Sequence, residues 1–455
     1  MAVPLTIMED MVENERRTLV VGLGKTGLSV ARYLSGRGLP VAIVDSRAEP
    51  PGLEELRTDL PADVALFLGG FEAAAFERAE QIIISPGVSL ITPQIAAARE
   101  RGVSVIGDIE LFAQAAAAPV VAITGSNGKS TVTTLLNAMA QRAGLQVRTG
   151  GNIGTPALDL ITESEPDLYV LELSSFQLEV THSLQPAAAV VLNISADHMD
   201  RYPDIDAYAA AKQGVYHDAA LQVVNADDPV AARLADPARP QVRYTQQVPA
   251  AGEYGLCASD GRSWLAGGDE LIMPVADIGM SGTHNTANAL AALALGAALG
   301  LPRDAMVGAL REFHGLPHRM QQITERRGVT WYNDSKGTNV GATLAAIDGI
   351  AGKVVLIAGG DAKGADLSPL ASALQRNGRA AVLLGAAAAE LQTLLAGILP
   401  VALADDMPQA VELAAGMAHT GDAVLLSPAC ASTDMFRDFR ERGDAFVAAL
   451  RELDS

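Results

Sequence analysis

Short apolar runs alternate with longer stretches of helical period along almost the whole chain. Thr18 to Val21 is one such run. A glycine-rich turn follows, then a helical stretch from Leu28 to Leu39, then a second run, Val41 to Val44, stopping at Asp45. An apolar run bounded by turn residues predicts a strand buried on both faces, so this order predicts a β-α-β unit. Gln81 to Ile84 and Val103 to Ile106 predict further strands. An Ala-rich stretch, Ala113 to Ala118, closed by Pro119, interrupts the pattern. It restarts with Val120 to Thr124, a second glycine turn, and a helix whose Val132, Leu135, Leu136 and Met139 fall on one face, with Gly144 as its stop. Strands are predicted at Leu168 to Leu173, Ala189 to Ile194 and Gln222 to Val224, and an Ala/Leu-rich helix over Asn285 to Leu299. Beyond His314 to Arg319, strands at Val329 to Tyr332, Val354 to Ala358, Ala381 to Leu384 and Ala423 to Leu426 alternate with helical stretches. Such alternation predicts parallel sheets with helices on both faces. The punctuation gives three α/β segments: 1–116, 117–316 and 317–455.

Composition narrows the function. With 33 Lys+Arg against 53 Asp+Glu the formal charge is −20, which excludes nucleic-acid binding through a basic footprint. At 49% hydrophobic and 19% charged residues the chain can build packed cores and is not disordered. Cys257 and Cys430 lie far apart without metal-ligand spacing and read as reduced thiols. The opening MAVPLTIMEDMVENERR places acids where a signal peptide has basic residues, and Glu390, Gln392 and Pro400 interrupt the most apolar long segment. The expectation is a soluble cytoplasmic protein with no membrane partner.

The two glycine turns carry the chemistry. Gly22-Leu-Gly-Lys-Thr-Gly27 satisfies the dinucleotide fingerprint, with Asp45 ending the next strand. Its physics specifies a phosphate or other polar group at a helix N-terminus, so NAD and UDP both remain candidates. Thr124-Gly-Ser-Asn-Gly-Lys-Ser-Thr131 combines strand, glycines, lysine and hydroxyls at a helix start, although Ile123 stands where the strict phosphate-loop pattern has glycine. Its amides can cradle phosphate oxygens, Lys129 can neutralise them, and Ser130 or Thr131 can reach Mg2+. Glu172 ends one strand, His198 lies just beyond another and Lys129 follows a third. In open α/β sheets ligands collect at such strand ends. Residue type alone leaves His198 open as a structural hydrogen-bonder or a metal ligand, and makes Lys212 a solvated surface lysine.

The loop TGSNGKST (124–131) is followed in order by GGNIG (150–154), ELSSFQLE (172–179), NISADHMDRY (193–202), HNTANALAA (284–292), GLPHRM (315–320), NDSKGTN (333–339) and LLSPACAS (425–432). This series, spread over nearly the whole chain, resembles the Mur ligase family. The resemblance implies three consecutive α/β domains: Rossmann-like (1–116) for a UDP-sugar, central P-loop ATPase-like (117–316) for ATP, and C-terminal Rossmann-like (317–455) for glutamate. It implies an ATP-dependent ligase adding D-glutamate to UDP-N-acetylmuramoyl-L-alanine (UDP-MurNAc-L-Ala) through an acyl phosphate, in peptidoglycan precursor synthesis, as a monomer with two Mg2+.

By the same resemblance Lys129, Glu172, His198 and Lys212 are catalytic. Ser130, Glu172, His198 and Lys212, the last as a carbamate, hold metal. ATP falls to Gly125, Ser126, Asn127, Gly128, Lys129, Ser130, Thr131, Asn285, Asn288, Arg319, Asp334 and Lys336, and the UDP-sugar to Lys25, Thr26, Ser46, Arg47, Ser85 and Asn152. Thr338, Lys363, Ser432 and Phe439 fall to glutamate, although the spacing of Phe439 from Met435 and Phe436 suits an amphipathic helix core equally. Ligands divided among three segments imply closure about a hinge near His314 to Pro317. Competing readings are another ligase of the superfamily, such as a folylpolyglutamate synthetase, an NAD-dependent oxidoreductase built on residues 18–45, and a P-loop switch or transport ATPase.

Overall fold

The computed structural model describes residues 17–61, 64–280 and 282–453 and gathers its strands into three sheets in chain order. Residues 1–16, on which the expectation of no signal peptide rests, lie outside the described residues.

The first sheet holds β1 (Thr18–Val21), β2 (Val41–Asp45), β3 (Ala65–Leu68), β4 (Gln81–Ile84) and β5 (Ser104–Ile106), all parallel, in the order β3-β2-β1-β4-β5. Its order reverses at β1 and β4, which opens a crevice at their carboxyl ends. The first helix runs Lys25–Ser35, earlier at both ends than the expected Leu28 to Leu39. A Cβ on Gly27 would lie 1.8 Å from the Gly22 carbonyl oxygen, so glycine lets the first helical turn press onto the strand end. A start made of Lys, Thr and Gly has no apolar period to announce it.

The second sheet holds β6 (Val120–Thr124), β7 (Val147–Gly151), β8 (Leu168–Glu172), β9 (Ala188–Val191), β10 (Gln222–Asn225), β11 (Gln241–Tyr244), β12 (Tyr254–Ser259), β13 (Arg262–Gly267) and β14 (Glu270–Pro274). The order is β14-β13-β12-β11-β10-β9-β6-β8-β7. From β6 to β12 the pairings are parallel, but β12, β13 and β14 are antiparallel. This departs from the expected all-parallel alternation. The hairpin turn Asp260-Gly261 has both residues at positive φ, 50° and 70°, the geometry for which Asp-Gly is suited. The helices Lys129–Arg142 and Thr283–Ala298 cover one face. Ala289 to Leu295 are all buried, as expected of a helix enclosed on every side. Truncating Leu135 or Leu136 beneath them costs about 2–5 kcal/mol.

The third sheet holds β15 (Gln321–Arg326), β16 (Val329–Asn333), β17 (Val354–Gly359), β18 (Gly378–Leu384), β19 (Val401–Leu403) and β20 (Ala423–Leu426), in the order β15-β16-β20-β17-β18-β19. Only β15 is antiparallel. The last strand inserts between β16 and β17, so the loops leaving these three strands meet at one edge. Among the described residues no helix is long and apolar enough to cross a membrane.

Candidate active site

The turn after β6 is fixed from several sides. Asn193 accepts from the Asn127 amide at 2.8 Å and donates to the Asn127 carbonyl at 3.0 Å. Gly128 caps the helix at φ 82°, and a Cβ there would lie 2.4 Å from Asn288 Oδ1. Glycine is therefore what admits Asn288 to the turn. Lys129 is half-buried and donates to the carbonyls of Gly125 and Ser126 at 2.8 and 2.9 Å. Burial lowers its pKa against the opposing pull of Glu172 and Asp197.

Neighbouring strand ends deliver the other groups, because β9, β6, β8 and β7 are adjacent. Glu172 is 3% exposed; its Oε1 accepts from Asn152 Nδ2 at 2.7 Å, and its Oε2 is buried with no hydrogen-bond partner. His198, at φ 58°, sits with its ring centroid 4.8 Å from that of Phe176, and burial lowers its pKa. Lys212 is 1% exposed, which corrects the surface-lysine reading. Its Nζ donates to the Gly125 carbonyl at 3.0 Å and Thr124 Oγ1 at 3.4 Å, and lies over the Tyr208 ring. Burial first, and Lys129 second, push its pKa well down, favouring the neutral amine that carbamate formation needs.

Among the described residues no group of three His, Cys, Asp or Glu could hold a metal. A site here needs other donors, and the arrangement fits Mg2+ through one atom above all. The orphaned Glu172 Oε2 is a buried acceptor of the kind a hard cation satisfies. The Ser130 hydroxyl, His198 and a modified Lys212 could complete such a set.

The third segment closes over the turn after β6. Arg319 donates to Ser130 Oγ at 2.8 Å. Asn339 caps the helix Val340–Asp348 and exchanges side-chain amide hydrogen bonds with Asn127 at 3.3 and 3.2 Å. Asp334 accepts from Ser427 Oγ at 2.7 Å, and burial pushes its carboxyl up to about 6. Lys336 is brought down to about 8 by burial, helped by Arg319 and Lys129. One cavity is lined by Asn127, Gly128, Thr131, Asn285, Asn288, Arg319, Asp334 and Lys336. Gly125, Ser126, Lys129 and Ser130 lie in the adjoining turn. Asn193, Asn225, Tyr244 and His284 also line it and were not expected; Asn193 and His284 open the NISADHMDRY and HNTANALAA series, whereas Asn225 and Tyr244 end strands that carry no motif.

A second cavity brings together Lys25, Thr26, Ser46, Arg47, Ser85 and Asn152, joined by Gln177. Ser85 Oγ donates to the Gly22 carbonyl at 2.8 Å and braces the turn. Asp45 accepts from the Leu23 amide at 2.7 Å and from Arg47 Nε and a terminal guanidinium nitrogen at 2.9 and 2.7 Å. Burial raises its pKa, but Arg47 and the two amides more than offset that and hold it below the usual value. A carboxylate so occupied is poorly placed to receive a ribose hydroxyl, which weakens the NAD reading.

Thr338, Lys363 and Ser432 lie in the loops after β16, β17 and β20, adjacent strands of one edge. The loops of Lys363 and Ser432 are tied by paired backbone bonds between Asp361 and Ala431, at 3.0 and 2.8 Å. Lys363 is close enough to His198 for its charge to lower the imidazole pKa. Phe439 is the first residue of the helix Phe439–Glu452, with Met435 and Phe436 outside it, so the helix-core alternative fails. The centroid of its ring lies 4.1 Å from Lys336 Nζ.

Comparison with known proteins assigns the class. Three family models match in chain order: the Mur ligase MurD-like N-terminal domain at residues 16–107, the Mur ligase middle domain at 123–296, and the Mur ligase glutamate ligase domain at 318–430. The chain belongs to the Mur ligase family. It is 56% identical over 438 residues to the UDP-N-acetylmuramoylalanine--D-glutamate ligase of Nitrosococcus oceani, covering 96% of each chain. To the enzyme of that name from Methylobacillus flagellatus it is 51% identical over 444 residues, 96% of this chain and 97% of the relative. Among solved structures, UDP-N-acetylmuramate-alanine ligase MurC from Thermotoga maritima shares the fold at TM-score 0.60 and 19% identity, over 96% of this chain and 99% of that one. FolC from E. coli does so at 0.58 and 19%, over 77% and 93%.

Proposed function

We propose that this protein is an ATP-dependent amide ligase that joins D-glutamate to UDP-MurNAc-L-Ala, forming ADP and phosphate, in peptidoglycan precursor synthesis. It works as a cytoplasmic monomer, with 1–116 holding the UDP-sugar, 117–316 ATP and 317–455 glutamate. The observation that carries the reading is the Asn152–Glu172 hydrogen bond, which sets the sugar cavity against the nucleotide turn. The alanyl carboxylate, which must be phosphorylated, is thereby led from one to the other.

Arg47 and Lys25, with the amides of the first turn, bind the diphosphate of the UDP-sugar. Lys129, Arg319 and Lys336 surround the ATP phosphates and neutralise charge on the transferring group. The alanyl carboxylate oxygen attacks the γ-phosphorus, the bond to ADP breaks, and an acyl phosphate forms. Thr338, Lys363 and Ser432 hold glutamate with its amine facing the acyl carbon. Attack there forms the amide, releases phosphate and frees the amine proton. Ser130, Glu172, His198 and the Lys212 carbamate would hold Mg2+, which would spread the negative charge of the phosphoryl group.

Phosphate release measured with ATP, UDP-MurNAc-L-Ala and D-glutamate, L-glutamate or a diamino acid in turn tests the reading. Turnover is expected with D-glutamate alone, with product mass showing one added glutamate. Turnover only with a diamino acid would overturn it.

A further inference from the structure

Arg442 is 2% exposed and lies on the first turns of the helix Phe439–Glu452. Among the described residues its hydrogen bonds go to backbone and hydroxyl oxygens. Nε donates to Ser335 Oγ at 3.1 Å, one terminal nitrogen to the Ser335 carbonyl at 2.9 Å, and both terminal nitrogens to the Cys430 carbonyl at 3.2 Å. A buried cation is costly unless its surroundings are organised to receive it, and here they are two turns from different strands. The same helix face makes further contacts with the first of them. Ser335 Oγ donates to the Phe439 carbonyl at 2.8 Å and Asn333 Nδ2 to the Gly443 carbonyl at 3.0 Å. A Cβ on Gly443 would lie 2.3 Å from His318 Nδ1, so glycine there permits the close approach.

Both turns have other anchors. That of Ser335 is held by the Asp334 amide bonding to Leu426, the Asp334 carboxylate to Ser427 and the Lys336 amide to His318, and that of Cys430 by the Ala429 amide bonding to the Gly337 carbonyl and by the backbone pair of Ala431 and Asp361. The turn of Cys430 passes through Ala429 at φ 61°, a left-handed conformation that strains a residue with a Cβ. Ser432 follows directly.

We propose that Arg442 is a positioning residue for amide formation, whose guanidinium holds the Ser335 and Cys430 turns in register and so sets Thr338 and Ser432 as a pair for the incoming amino acid. This rests on the reading of Thr338 and Ser432 as glutamate contacts. Because Asp334 and Lys336 keep hydrogen bonds of their own, loss of the fork acts through the alignment of Thr338 and Ser432, on the amino acid side.

Steady-state kinetics of Arg442→Lys, Arg442→Met and Ser335→Ala, with each substrate titrated separately, test the proposal. Lysine keeps the charge but loses the fork, and Arg442→Lys is expected to raise KM for glutamate about tenfold while KM for ATP and UDP-MurNAc-L-Ala stays within about twofold. Arg442→Met is expected to do more, and Ser335→Ala, which spares the carbonyl contacts, to do less. Equal rises in all three KM values, or a lower Tm with every KM unchanged, would overturn it. If Arg442→Met does not fold, the other two variants decide. Wild-type enzyme without glutamate-dependent turnover would count against the functional reading instead, before any variant is compared.

Discussion

The turns after β1 and β6 both carry a strand into a helix through glycine at positive φ, Gly22 at 93° and Gly128 at 82°. They differ in how charge is arranged around them. After β1 the guanidinium of Arg47 is already paired with Asp45, whose other contact is the turn's own Leu23 amide, and Lys25 is exposed. After β6 Lys129 and Lys212 both donate to the Gly125 carbonyl, Arg319 reaches Ser130, and Lys336 feels both Lys129 and Arg319. Lysines pressed together under burial lose pKa, and all three here do. A glycine turn thus provides for an anionic group, and the surrounding charge decides which. On the proposed function the first meets a diphosphate on an exposed rim, and the second a triphosphate faced by Lys129, Arg319 and Lys336.

That contrast can be broken at its strongest point by Lys212→Ala. Removing the buried amine should abolish ligation, a fall of at least about 10³-fold in kcat, because it removes the carbamate that would help hold Mg2+ beside the transferring phosphoryl group. Full turnover of the purified variant would sink the assignment. Arg47→Ala should raise KM for the UDP-sugar about tenfold and leave KM for ATP unchanged. Equal effects on both substrates would mean that the turns do not divide the ligands.

The smallest effect sharpens the contrast through pH. Lys336 falls from 10.5 to about 8 in the folded protein, so kcat/KM for ATP should decline, about threefold from roughly pH 7 to 8.4, as the cation is lost. Lys336→Arg should flatten the profile. The sign for stability is opposite: between about 8 and 10.5 the unfolded chain binds more protons than the fold, so this residue makes stability rise with pH there. A flat wild-type profile would place Lys336 away from the phosphates.

Much of this was written plainly in the residues. Strands buried on both faces, such as β1, β4, β6 and β20, stand out as unbroken apolar runs whose limits the structure reproduces. Thr338, Lys363 and Ser432 share a sheet edge because each follows such a strand. The hairpins at 254–274 were missed although Asp260-Gly261 signalled one of them. β15 was missed because Gln321 to Arg326 is mostly polar. The burial of Lys212 was invisible to periodicity, since the Ala-rich helix Ile205–Gln213 has no distinct apolar stripe. The Asn127–Asn339 pair and the Arg442 contacts join residues distant in sequence, and nothing local foretells them.

The hydrogen bond between Asn152 and Glu172 has a consequence for inhibitor chemistry. A fragment seated at Asn152 abuts Glu172, and on the proposed function a short tether from there to a phosphate mimic in the turn after β6 would make the second binding event intramolecular, at high effective concentration. Linkage adds reciprocity: whatever factor such a fragment imposes on nucleotide affinity through Glu172, the nucleotide returns to the fragment.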